Sequence, residues 1–177
     1  MQKKIDKIRR DNYDKVTDLM KGSFESEDLA RSILSKKGFY VFPKFNKQIT
    51  PTAKKKDIEA NNDGCDLLIV KDGMIKIIEV KKHITVKHWT GRDNYPYDKV
   101  IVDAKQQFDN KPVRPHGYFI FNNTMSHFMF INVPNTINTW EIKRGKSPNG
   151  YKKNYYILDK SRVFFDDIQK YIQEAKN

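Results

Sequence analysis

The chain is poor in cysteine, in long apolar runs and in acidic charge, and each shortage excludes something. One cysteine, Cys65, stands among 177 residues, so no intramolecular disulfide forms and a multi-cysteine zinc site is ruled out. A reducing, cytoplasmic setting is the expectation that follows. The opening stretch MQKKIDKIRRDNYDK has no apolar core of the kind a secretory signal needs. No apolar run approaches the roughly 20 residues of a spanning helix, so a soluble protein with no membrane partner is expected. Neither an internal repeat nor a low-complexity segment is present. His83, His88, His116 and His127 show no H-x-x-x-H spacing that would set two imidazoles on one helical face, and they read as ordinary histidines. His83 and His88 are also weighed as phosphate contacts.

The surplus is basic. Lysine and arginine number 34 against 22 aspartates and glutamates, a net charge of +12, which points to a polyanionic partner. Nucleic acid is the first candidate. An anionic membrane surface is the rival, but no basic amphipathic helix carries the Trp/Phe/Leu face that lies in a bilayer. Hydrophobic residues at 38% with aromatics at 12% predict one aromatic-rich core, and the length suits a single domain over 1–177.

Residues 2–20 place Ile5, Ile8, Val16, Leu19 and Met20 at helical spacing. Ser23 or Ser26 caps a second predicted helix: Glu25, Glu27 and Asp28 fill its first turn, Leu29, Ile33 and Leu34 form its apolar face, and Lys36-Lys37-Gly38 ends it. FYVFPKF, 39–45, is β-prone, and the following polar stretch with Lys54-Lys55-Lys56 reads as irregular. CDLLIV and MIKIIEVKK around Asp72-Gly73 make the strongest hairpin signal in the chain. YDKVIVDAKQQFDN predicts a helix through Val100, Ala104 and Phe108, although its KVIV has strand character. HGYFIFNN and SHFMFINV predict a second strand pair, NYYIL a further strand, and Ser161 the opening of a last helix, VFFDDIQKYIQEA. This mixture predicts an α/β fold with a mixed sheet and helices packed on its faces.

The charges at the ends of those hydrophobic hairpin strands need explaining. Glu79 and Lys81 are two apart in a strand and share a face, while Val80 points the other way. A hairpin turning at Asp72-Gly73 sets residues whose numbers sum to about 145 opposite one another, which brings Asp66 to the neighbourhood of Glu79. Two carboxylates and an ammonium are thus expected at one end of the hairpin. Such carboxylates repel, and a hard divalent cation with oxygen ligands, Mg²⁺ above all, stabilises them while leaving room for a phosphodiester. A neighbouring lysine supplies a compact charge for a phosphate oxygen or the attacking water.

Asp66 followed thirteen residues later by Glu79-Val80-Lys81 resembles the core motif of the PD-(D/E)xK nuclease superfamily, with Cys65 where the family usually has proline. The spacing is most similar to that of the archaeal Holliday-junction resolvases, whose first helix carries a glutamate near its start and ends in a Gly-aromatic pair, as Glu27 and Gly38-Phe39 do here. The resemblance covers about 24–122. It implies a restriction-endonuclease-like αβββαβ core with a central mixed sheet flanked by helices, to which the N-terminal helix 2–20 and C-terminal strands and helix over 126–175 are additions. It also implies that Asp66, Glu79 and the Val80 carbonyl bind Mg²⁺, with Mn²⁺ substituting. Lys81 then positions or activates the water, and Glu27 completes the site. The implied activity is endonucleolytic hydrolysis of DNA by a metal-activated water, structure-selective or weakly sequence-selective, with a homodimer as an option.

Plainer readings stand beside these. Asp66 is otherwise a turn aspartate with Asp63 as competitor, Glu79 and Lys81 a same-face ion pair, and Glu27 a first-turn charge for which Glu25 could substitute. Lys54, Lys55, Lys56, Lys82, Lys87 and Arg92 are the candidate nucleic-acid contacts, with a solvated loop as the alternative for the Lys54–Lys56 cluster. Trp89 and Arg92 either stack on a splayed base or pack, and packing is expected of Tyr95 and Tyr97. Lys143, Arg144, Lys146, Lys152 and Lys153 form a second basic surface around the Gly145–Gly150 loop. A non-catalytic nucleic-acid-binding module and an RNA-directed nuclease are the alternative functions.

Overall fold

The computed structural model describes residues 24–42, 66–83, 86, 88–146 and 150–172. The predicted helix 2–20, Ser23, Lys54, Lys55, Lys56, Cys65 and Lys87 lie outside the described residues.

Helix α1 runs over 24–36 and buries Ala30, Ile33 and Leu34, the apolar face its spacing predicts. Ser26 is buried inside the helix and does not cap it. The helix ends where the backbone turns left-handed at Gly38, φ 79°. There Phe39 N–H bonds the Leu34 carbonyl at 3.1 Å and Gly38 N–H bonds that of Ser35 at 3.0 Å. This double closure satisfies the last carbonyls and favours glycine. The chain continues into the short strand β1, Tyr40–Val41.

Strands β2 (Leu67–Lys71) and β3 (Met74–Lys82) form the predicted hairpin. Asp72 and Gly73 both have positive φ, 52° and 72°, the two-residue turn whose twist matches that of the strands. The register is Leu67↔Ile78 through Lys71↔Met74, every pair summing to 145. From β3 a crossover leads to β5 (Gly117–Phe121), which pairs with it in parallel. β6 (His127–Asn132) then pairs antiparallel with β5, and β9 (Phe164–Asp167) with β6. The result is a mixed six-stranded sheet, β1-β2-β3-β5-β6-β9. Gly-Tyr-Phe-Ile-Phe of β5 is buried on both faces, as befits the centre of such a sheet.

The crossover differs from the expectation. In place of one helix, residues Lys99–Ala104 are strand β4, and only Lys105–Asp109 are helical, as α2. The β-branched run Val100-Ile101-Val102 prefers the extended backbone, and β8 (Lys152–Asp159) supplies its hydrogen-bonding partner. β7 (Glu141–Lys146) pairs on the other side of β8, completing a second sheet, β4-β8-β7. A short helix α3 (Val133–Thr136) follows β6.

The C-terminal helix also starts later than predicted. Phe164–Asp167 instead extend the edge of the large sheet, and the helix, α4, is described over Gln169–Ile172, its first turn capped by the Asp167 carboxylate on Gln169 N–H at 2.8 Å. Ser161 sits in a 3-10 turn, Lys160–Arg162.

The protein is a mixed α/β structure with few helices. One face of the large sheet packs Ile69, Ile78, Val80, Phe119 and Phe121 against α1. The other packs Tyr118, Ile120 and Met129 against Val100, Val102 and Leu158 of the second sheet. The layer expected to be helical on that side is therefore β-sheet. No helix among the described residues is long and apolar enough to cross a membrane.

Candidate active site

The hairpin register puts Asp66, one residue before β2, opposite Glu79 on β3. Asp66 Oδ2 accepts a hydrogen bond from Val80 N–H at 2.7 Å, which aims the carboxylate at the end of β3. Glu79 is almost fully buried, and so is Glu27 on α1. The Asp66 carboxyl is pushed up to about 7. Burial is the main cause, followed by the charge of Glu79 and, less strongly, that of Glu27, while the Val80 N–H bond and the Lys111 ammonium work the other way. Asp66 thus feels both other acids, as expected of neighbours in one site.

The ammonium that meets this pair is not the predicted one. Lys111, in the loop after α2, places Nζ 2.6 Å from Glu79 Oε1 and is itself largely buried. Lys81 shares the Glu79 face as its spacing demands, but its amine is held elsewhere. Its Nζ lies 2.7 Å from Asp103 Oδ1, donates to the Val102 carbonyl at 2.9 Å and stands 4.7 Å from the centre of the Tyr118 ring. Tyr118 OH donates to Asp103 Oδ2 at 2.9 Å, and Ala104 N–H donates to Asp103 Oδ1 at 2.9 Å. The irregularity in β4 between Ile101 and Asp103 accompanies the convergence of the Val102 carbonyl and the Asp103 carboxylate on one amine. Lys111 and Asp103 escaped the sequence reading because both arrive through the crossover, far from the motif in the chain. Their only local signal is a buried charge, which a sequence does not display.

The other candidates divide. Lys82 is half-buried at the end of β3. Arg92 is committed to the fold, its Nη2 donating to the Val163 carbonyl at 2.9 Å beside a cavity of about 360 Å³. Trp89 is fully buried, edge-on to Tyr95 and Phe165 at 5.8 and 5.6 Å, the packing role of its two alternatives. Tyr95 is buried, and Tyr97, 55% exposed, packs edge-on against its ring at 5.9 Å. His83 is half-buried and stacks on the Tyr95 ring at 6.4 Å. Burial and the Lys81 ammonium hold its imidazole down to about 4, so it is neutral and offers phosphate no charge. His88 Nδ1 lies 3.1 Å from Asn123 Oδ1 at the surface.

Among the described residues no three His, Cys, Asp or Glu side chains stand together as a ready metal cage. The donor chemistry nevertheless fits a hard cation. Asp66 and Glu79 are carboxylate oxygen donors close enough for the Glu79 charge to help raise the Asp66 carboxyl, and the Lys111 ammonium rests on Glu79. Comparison with family models, with curated proteins and with solved structures finds no match to this chain.

Proposed function

We propose that the chain is a divalent-cation-dependent endonuclease of the PD-(D/E)xK kind, with a restriction-endonuclease-like core, that hydrolyses DNA phosphodiesters. The observation that carries the reading is the Asp66 carboxyl. It is half-buried, aligned by Val80 N–H at 2.7 Å, and driven up to about 7 chiefly by desolvation, with Glu79 and Glu27 as its charged neighbours. The strand pattern supports the same reading: an antiparallel meander β1-β2-β3 followed by a strand parallel to β3, with the acids at the end of the hairpin.

Asp66, Glu79 and the Val80 carbonyl would hold Mg²⁺, and Mn²⁺ in its place, with Glu27 completing the shell. Bound there, the ion supplies Lewis acidity toward the phosphate and lowers the pKa of water. Val80 N–H orients the Asp66 carboxylate. Lys111 balances the charge of Glu79 and would share it with a bound cation. Asp103 and the Val102 carbonyl fix the Lys81 ammonium, which offers a point charge to a phosphate oxygen.

The test is cleavage of supercoiled plasmid and of branched, single-stranded and linear duplex DNA, with Mg²⁺, with Mn²⁺, with EDTA, and with Glu79→Ala as control. Metal-dependent cutting absent from the variant is the expected result, with branched or supercoiled DNA preferred to linear duplex. A non-catalytic nucleic-acid-binding module is the second reading, favoured by the internal pairing of both lysines, Lys111 with Glu79 and Lys81 with Asp103. Binding without cutting under either metal decides for it, and cutting of RNA alone reassigns the substrate.

A further inference from the structure

The active-site residues leave the most strongly charged described feature unused. β7 and β8 form a hairpin whose turn end carries Lys143, Arg144, Lys146, Lys152 and Lys153, all exposed. Among the described residues none of these five makes an ion pair. The hairpin's two acids are engaged elsewhere, Glu141 with Lys99 and Asp159 with Ser161 N–H. Five uncompensated cations on one ribbon repel one another, a cost that a bound polyanion removes.

Register fixes where they point. Arg144 pairs with Asn154 and Lys146 with Lys152, on the face that Ile142 shares with Tyr156, the partner of Asp103. Lys143 pairs with Tyr155 and Gly145 with Lys153, on the opposite face. There a Cβ at Gly145 would come 3.2 Å from the Tyr155 ring, so glycine leaves that ring lying across the strand between two lysines. With strands about 4.8 Å apart and a rise of about 3.3 Å per residue, Arg144, Lys146 and Lys152 lie roughly 12–16 Å from Asp103, the residue that holds Lys81. That span of duplex axis carries about seven to nine phosphate charges. The cations are spread along the ribbon and over both faces, an arrangement suited to a polymer backbone and not to one small anion.

We propose that the β7–β8 hairpin is a DNA-gripping arm that contacts phosphates flanking the scissile bond and reads no sequence. The choice of polymer rests on the nuclease reading. The grip itself is tested without cleavage.

Binding of a labelled 30-base-pair duplex is measured by fluorescence anisotropy in EDTA across a KCl series. The proteins are the wild type, a variant with all five cations changed to Gln, and a control with Lys160, Arg162 and Lys170 changed to Gln. At about 0.1 M salt the five-fold variant is expected to bind at least 10-fold more weakly, and its salt slope to fall by up to about 4.5, or about 0.9 per lost phosphate contact. The control is expected to stay within about 3-fold of wild type. Equal loss in the two variants, no duplex binding by the wild type, or a loss confined to an RNA duplex overturns the proposal. Should the full set unfold, Arg144/Lys146/Lys152 and Lys143/Lys153 neutralised separately make the same comparison. A wild type that grips DNA through the arm but cuts nothing under any divalent metal refutes the nuclease reading and leaves the arm standing.

Discussion

At the scale of single residues, the ionised Asp66 carboxylate works against the fold. The Asp66 carboxyl sits at about 7 in the folded chain against an ordinary 3.8, so the native state prefers it protonated. Its stabilising contribution is complete below pH 3.8 and is lost as pH rises through 7. Asp66→Asn keeps an acceptor for Val80 N–H and removes the charge. In EDTA at pH 8 this variant is expected to melt a few degrees above wild type, since a chain of this size gains about 2–4 °C per kcal/mol, and the gap should close near pH 4. Mg²⁺ is expected to raise the wild-type Tm and leave the variant unmoved. Thermal denaturation at the two pH values, with and without Mg²⁺, checks both. An unchanged Tm at pH 8 removes the argument that Asp66 lies in a strained acidic cluster. The pairing of Asp66 with Glu79 was legible in the sequence because a two-residue turn fixes register locally. The cation on Glu79 was not, since Lys111 reaches it only through the parallel crossover.

At the scale of elements, legibility followed the range of the contacts. Helix α1, the β2–β3 hairpin and the β5–β6 pair carry local signals: apolar spacing, Gly38, the Asp72-Gly73 turn and alternating aromatics. β4 and β9 depend on partners distant in sequence, and helical spacing at Val100, Ala104 and Phe108 competed with β-branched preference until β8 decided it. The stretch after β3 is polar and aromatic, and of the two roles open to Trp89 the fold takes packing: with Tyr95 it plugs the core. His83 enters that plug with Nδ1 buried and unpaired among the described residues. Its imidazole sits at about 4 against an ordinary 6.5, so its neutral-form stability is full above pH 6.5 and is lost as pH falls through 4. His83→Phe is expected to shift the midpoint of acid unfolding to lower pH and to leave stability at pH 8 within about 1 kcal/mol. Circular dichroism along a pH titration reads this. A midpoint that stays in place assigns the acid sensitivity to other groups.

At the scale of the molecule, the two sheets that share an apolar core are also tied by an ion pair. Lys81 belongs to the large sheet and Asp103 to the small one, and between them they tie the end of β3 to β4, whose partner β8 continues into the basic hairpin. Asp103 is buried and accepts from Tyr118 OH and Ala104 N–H, whereas the Lys81 side chain is 30% exposed, so solvent screens part of the pair's Coulomb energy. A double-mutant cycle of Lys81→Met and Asp103→Asn is expected to give a coupling of about 1 kcal/mol in urea denaturation, within the range found for contacting charged groups. The functional side is sharper. If Asp103 acts by holding the Lys81 amine, Asp103→Asn lowers kcat for DNA cleavage while the duplex Kd in EDTA stays within about 2-fold, because the hairpin cations are untouched. Loss of binding together with cleavage would mean that the pair supports the junction of the two sheets and no particular chemistry. Loss of cleavage alone would show that the small sheet aims the lysine through Asp103, a task that a strand carrying a buried carboxylate can perform and the helix expected from the sequence would not.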